Sequence, residues 1–241
     1  MEWIATGLVF ALGGFVKGVV GVGMPTVVVG LLSFAMPPVQ AAALLTAPNL
    51  VTNVVQAAGP GMGALLRRLW PMLAALVALT LFATPLVRGT GAVALIVLGV
   101  ALAVNGALGL AAIHPRVPVA WEWWLGPLAG GVTGVLTAMT GVFVLPSVPY
   151  LQALGFGRDA LVRAMGLTFL AATMALGAAL WRDGAWNAAL ATGSLLALAP
   201  ALAGQFLGAW ARGLLSVAAF RRCFQAALVL LGLALALKPL L

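Results

Sequence analysis

Lys17 is the one lysine or arginine set well inside an apolar run of this 241-residue chain. An unrelieved charge at the centre of a bilayer costs about 2.5 to 3.5 kcal/mol on insertion scales, so the position needs a compensating interaction. The sequence offers two: attraction for an anionic solute beside the glycines that follow, or snorkelling of the ammonium to the nearby end of its run. Those glycines, Gly21 and Gly23, lead into Met24, Pro25 and Thr26. A later run carries Thr46, Asn49, Asn53 and Gln56 at spacings of 3, 4 and 3, with Thr52 beside them, which sets polar side chains along one helix face. Lipid is no partner for that face. The second half of the chain offers a thinner set in Thr140, Gly141, Thr168 and Thr173. Asn105, Thr192 and Gln205 stand singly in other runs, where an interhelical hydrogen bond is the commoner role. Lys17, Gly21, Gly23, Thr26, Asn49, Asn53, Thr140, Gly141 and Thr168 are the candidate substrate-binding residues.

Other chemistries are poorly served. One histidine, His114, and one cysteine, Cys223, far apart in the chain, supply neither a nucleophile with its base nor a metal cluster, so no enzyme, metal or cofactor is expected. Glu2, Glu122, Asp159 and Asp183 all fall at the ends of apolar runs, which removes the usual carboxylate proton relay and leaves a coupling ion, proton or sodium, open. Asp159, with Arg158 and Arg163, reads as a solvated pair or a gating ion pair.

The elements that must position these residues follow from composition. Hydrophobic residues make up 64% of the chain and charged ones 7%, against about 25% charged in soluble domains, so the surrounding solvent is lipid. Twelve basic residues against four acidic ones would suggest nucleic acid in a soluble protein. Here the basic residues lie between apolar runs and read as topology signals. Glu2 precedes the first run and no small-residue cleavage pattern ends it, so that run is expected to be retained.

Ten apolar runs emerge, and two of them, 24–34 and 144–154, have only 11 residues. At the helical rise each spans about 16 Å, half of a hydrocarbon core of roughly 30 Å. Fusing the first of them to its predecessor would bury Gly18, Gly21, Gly23 and Pro25 mid-helix, so a break is forced. The pattern recurs: Gly13-Gly14 and Gly18 before Pro25 are echoed by Gly130-Gly131 and Gly134 before Gly141 and Pro146. This divides the chain into repeats 1–115 and 116–241 within one membrane domain. If each short run turns back as a re-entrant hairpin, six crossings remain. Arg67, Arg68, Arg116, Arg158, Arg163, Arg212, Arg221 and Arg222 then share one face, and Arg88, Arg182 and Lys238 the other. That eight-to-three split fits the positive-inside rule and puts both termini outside the cytoplasm. The alternative, eight spans in two parallel four-helix repeats, gives no bias. The expected fold is an all-α polytopic membrane protein of two inverted repeats, each a broken re-entrant helical hairpin plus three transmembrane helices.

Unwound backbone within a bilayer is tolerated where protein or a wet cavity satisfies it, and half-helix N-termini present N–H donors to anions. Gly21, Gly23 and Gly141 read as functional breaks on this argument. The pairs Gly14 with Gly18 and Gly130 with Gly134 read as helix packing.

Gly14-Phe15-Val16-Lys17-Gly18-Val19-Val20-Gly21-Val22-Gly23-Met24-Pro25, then Pro37-Pro38 and Pro48-Asn49-Leu50-Val51-Thr52-Asn53, resembles the first half of the TauE/SafE-type sulfite exporter family of membrane permeases. Thr140-Gly141-Val142-Phe143-Val144-Leu145-Pro146-Ser147-Val148-Pro149-Tyr150 is similar to its second signature, so the resemblance covers both repeats. It implies a permease of the cytoplasmic membrane for sulfite, organosulfur or related small organic anions. With a midplane anion site between two inverted halves, alternating access in a bacterial cytoplasmic membrane is the expected mechanism, an anion channel the alternative. The family often carries three glycines at these breaks, whereas this chain has Gly21-Val22-Gly23 and Thr140-Gly141-Val142. The hairpin topology makes a direct prediction. Reporters fused after Arg67 and after Arg158 are expected to report the same side of the membrane, and opposite sides would exclude it.

Overall fold

The computed structural model describes residues 2–87, 91–111 and 116–240, so His114, Pro115 and Arg88 lie outside the described residues. The first repeat comprises α1 (Glu2–Val20), α2 (Met24–Leu32), α3 (Pro38–Leu44), α4 (Thr46–Ala57), α5 (Met62–Leu86) and α6 (Gly91–Ala111). The second comprises α7 (Glu122–Thr140), α8 (Ser147–Ala153), α9 (Arg158–Arg182), α10 (Ala188–Ala211) and α11 (Val217–Leu237). Among the described residues, six helices are long and apolar enough to cross a membrane: α1, α5, α6, α9, α10 and α11. Large apolar side chains such as Leu195, Phe206, Leu207 and Leu230 face outward from α10 and α11, the reverse of a water-soluble surface. The chain is a polytopic helical membrane protein.

Glycine notches set the helix pairs. An added Cβ on Gly14 or Gly18 would strike the backbone of α10 at Ala201 and Gln205. One on Gly204 or Gly208 would strike α1 at Ala11 and Phe15. Gly130 and Gly134 of α7 sit in the same way against Met72 and Leu76 of α5. The expected packing role of both glycine pairs therefore holds, and backbones meet where no side chain intervenes. In both pairs residue numbers rise together, so α1 is parallel to α10 and α7 to α5. Exchanging the repeats turns one pair into the other.

The equivalent helices of the two repeats run in opposite senses. Gly99 of α6 meets Ala236 of α11 while Gly106 meets Gln225, and Gly166 of α9 meets Ala57 of α4 while Gly177 meets Thr46. Repeats related about the membrane normal would keep such pairs parallel. Opposed equivalents mark inverted repeats, as the hairpin reading requires.

Three departures from the sequence expectation bear on the site. The run 39–58 is not one helix but α3 and α4, broken at Leu45. Pro48 has no N–H to donate back to Leu44, and its ring clashes with that carbonyl in a continuous helix. Leu45 N–H instead reaches Ala42 O at 3.1 Å, and Ala47 N–H is taken by Ser194 Oγ of α10 at 2.9 Å. The second short run begins at Ser147 rather than 144, because the chain after Gly141 stays unwound through Pro146. The first ends at Leu32 rather than Phe34.

Packing at these notches carries a stability prediction. Gly130→Val places its branched carbon on the carbonyl of Met72, which cannot yield as a side-chain tip can, and overpacking of this kind costs about 1–3 kcal/mol. A melting temperature lower by roughly 2–4 °C per kcal/mol is expected in detergent. Gly7→Ala, with open space around it, should leave the melting temperature unchanged.

Candidate transport site

The first break is held open by donors that cap helix C-termini. Gly21 has φ 88° and Gly23 φ 111°, backbone that a side chain strains, so α1 stops at Val20 and α2 restarts at Met24 with Pro25 in its first turn. The carbonyl of Gly18 accepts from Arg212 Nη2, and that of Gly21 accepts from Gln56 Nε2 at 3.3 Å. At the far end of α2, Lys238 Nζ donates to Phe34 O at 2.8 Å and to Ser33 O at 3.4 Å. In the second hairpin, Arg68 Nη2 donates to Leu154 O at 3.1 Å, while its Nε and Nη2 grip Glu122 at 2.9 and 2.6 Å and its guanidinium stacks on Phe156. Cations at these carbonyl ends satisfy both the orphan acceptors and the negative dipole ends.

The N-terminus of α2 receives no such cap. Gly23 has no side chain to offer, and the Thr26 hydroxyl donates to Gly23 O at 2.7 Å. Pro25 carries no N–H, which leaves the amides of Met24 and Thr26 as first-turn donors without an intrahelical acceptor. Gly23 and Thr26 line a cavity of about 370 Å³. Its wall is amphipathic. Asn105 of α6, Gln152 of α8 and Gln225 of α11 supply amides, Arg158 and Arg221 supply charge, and Val148, Met165 and Phe224 supply apolar surface. The exposed arginines stand at the mouth and the buried Gly23, Thr26 and Val148 deeper. No acidic side chain is among the lining residues.

The sequence-predicted residues divide among four places. Gly23 and Thr26 reach the cavity. Lys17, Gly21, Asn49 and Asn53 lie behind the break between α1 and α4. There Lys17 Nζ donates to Thr52 Oγ1 at 2.8 Å and Asn53 Oδ1 at 2.5 Å. The lysine is buried, so it does not snorkel. Asn49 is buried with its Oδ1 unpaired. Thr140 and Gly141 lie at the second break, where Thr140 Oγ1 accepts from Val142 N–H at 3.1 Å and Gly141 presses on Ala42 of α3. Thr168 spends its hydroxyl on Ala164 O at 2.8 Å, within its own helix. Sequence reasoning left out Gln152, Arg158, Arg221 and Gln225 as ligands. The two arginines read as loop charges, and only the inverted packing brings α8, α9 and α11 around the start of α2. Gln225 had one available signal, a polar residue in an otherwise apolar run.

Inverted helical repeats, breaks within the bundle and a basic-mouthed cavity reached by both breaks define a membrane permease rather than an enzyme. The family model for the sulfite exporter TauE/SafE matches residues 6–235, and the chain belongs to that family of membrane transporters. No curated protein and no solved structure matched it.

The exposed Arg158 and Arg221 at the cavity's mouth predict access from one side. In a Cys223→Ser background, Gln152→Cys is expected to react with a membrane-impermeant thiol reagent added on the arginine-rich side, and Thr140→Cys to stay unreactive from that side. Equal labelling of both would contradict the cavity's one-sided mouth.

Proposed function

We propose that the chain is a secondary transporter that moves a small anion, sulfite or a related organosulfur or organic anion, across the bacterial cytoplasmic membrane by alternating access. The observation that carries this reading is the uncapped first turn of α2 opening into a cavity flanked by Arg158 and Arg221. Backbone N–H groups at a helix N-terminus attract negative charge, and a mouth of one sign raises the local concentration of the opposite one. The amides of Asn105, Gln152 and Gln225 orient oxyanion oxygens, and Val148, Met165 and Phe224 accept a short apolar moiety. The cavity therefore suits an organosulfonate as well as bare sulfite.

The arginine-rich end is assigned to the cytoplasm by the positive-inside rule, which makes this conformation inward-facing and puts both termini outside. Inversion supplies the opposite state: the second break, which shares the cavity through Val144 and packs on Ala42 at Gly141, opens to the other side when the first closes. With no carboxylate lining the cavity, the solute moves down its own gradient and no coupling ion, proton or sodium, is assigned. A channel would share the charge pattern, yet the tight seal at Gly141 favours a carrier.

In proteoliposomes, sulfite uptake is expected to saturate and to be accelerated by sulfite loaded on the opposite side, as a carrier requires. Arg158→Gln with Arg221→Gln should raise the half-saturating concentration on the order of tenfold, about 1.4 kcal/mol of lost attraction. Uptake that rises linearly with sulfite and ignores sulfite on the far side would identify a channel instead.

A further inference from the structure

The cavity does not use the buried cation of the molecule. Lys17 is 5% exposed and, among the described residues, forms no ion pair. Two of its three ammonium hydrogens go to Thr52 Oγ1 and Asn53 Oδ1. Thr52 has no donor left, since its own hydroxyl hydrogen goes to Pro48 O at 2.7 Å. The lysine also fixes the amide of Asn53. An ammonium only donates, so the amide oxygen must face it and Nδ2 must point the other way. That Nδ2 belongs to a side chain 1% exposed and meets no acceptor. A buried positive charge without a counter-charge, and beside it a buried N–H donor without an acceptor, lack the same thing. Both are completed by one negatively charged acceptor.

We propose that Lys17 Nζ and Asn53 Nδ2 form a second, occluded anion subsite behind the first break, separate from the open cavity. The proposal rests on the reading of the chain as an anion permease. Close packing limits the ligand: Gly18, one residue beyond Lys17, lies against the backbone of α10, and Gln56, one turn beyond Asn53, is tied to Gly21. The subsite therefore takes a compact oxyanion stripped of its water and rejects the apolar tail that the cavity accepts. A mixed cargo would be admitted at the mouth and sorted at Lys17, with sulfite passing and longer sulfonates held back.

Selenite, the heavier pyramidal congener of sulfite, locates such a subsite by anomalous diffraction from soaked crystals. The expected result is a peak in contact with Lys17 Nζ and Asn53 Nδ2 that disappears in Asn53→Asp, whose carboxylate supplies the lysine's counter-charge in place. Should Asn53→Asp fail to fold, Lys17→Met must abolish the same peak. A peak confined to the open cavity overturns the subsite and leaves the permease reading intact. No peak at Lys17 or in the cavity also overturns it, and saturable sulfite flux into proteoliposomes then decides the permease reading on its own.

Discussion

Every backbone carbonyl freed by a helix break inside a bilayer must find a donor, because lipid supplies none. In this protein three helix C-termini find cations, the first of them at a break: Arg212 at the end of α1, Lys238 at the end of α2 and Arg68 at the end of α8. Each cation comes from a helix distant in sequence, so the breaks are held by tertiary structure and not by local propensity. The arrangement is polar in a useful sense. Positive side chains are drawn to carbonyl ends, and the opposite end of α2 has no side-chain cap. That end is where the proposed anion would bind.

The inverted repeats turn this local chemistry into a two-sided device. Glycine notches let α1 lie on α10 and α7 on α5, so each hairpin is carried by a helix of the other repeat, and equivalent helices oppose one another. Symmetry is incomplete where the hairpins differ. The first break is three residues long and meets the cavity at Val22 and Gly23; the second is unwound from Gly141 to Pro146, reaches the same cavity at Val144 and packs on α3 at Gly141. The split of α3 from α4 at Leu45 has no counterpart in the continuous α9. On the proposed carrier reading, the two unequal versions of one unit are one of its two states.

Much of this was legible in the sequence because it rests on short-range rules. The breaks at Gly21, Gly23 and Gly141, the packing glycines and the hairpin topology follow from run length and from what glycine and proline permit. The interior of α4 was legible as a polar face, and Thr52 and Asn53 of that face accept hydrogen bonds from Lys17. Less visible were features set by distant chain. Leu45 ends a helix because Pro48 cannot pair and Ser194 of α10 can take the orphan N–H, and only the first half of that cause is local. The cavity lining was hardest to foresee. Arg158 and Arg221 sit 63 residues apart in stretches that read as ordinary loop charge, and only the antiparallel return of α11 brings them to one mouth.

The central claim is that the anion drives the two broken hairpins between opposite states. Pulsed dipolar spectroscopy tests it in one cysteine-free background, with spin labels at 159 and 219 across the arginine-rich mouth and at 40 and 139 across the sealed end. Sulfite is expected to shorten the first distance and lengthen the second. If saturating sulfite leaves both distance distributions unchanged in protein that still transports it, the account is contradicted.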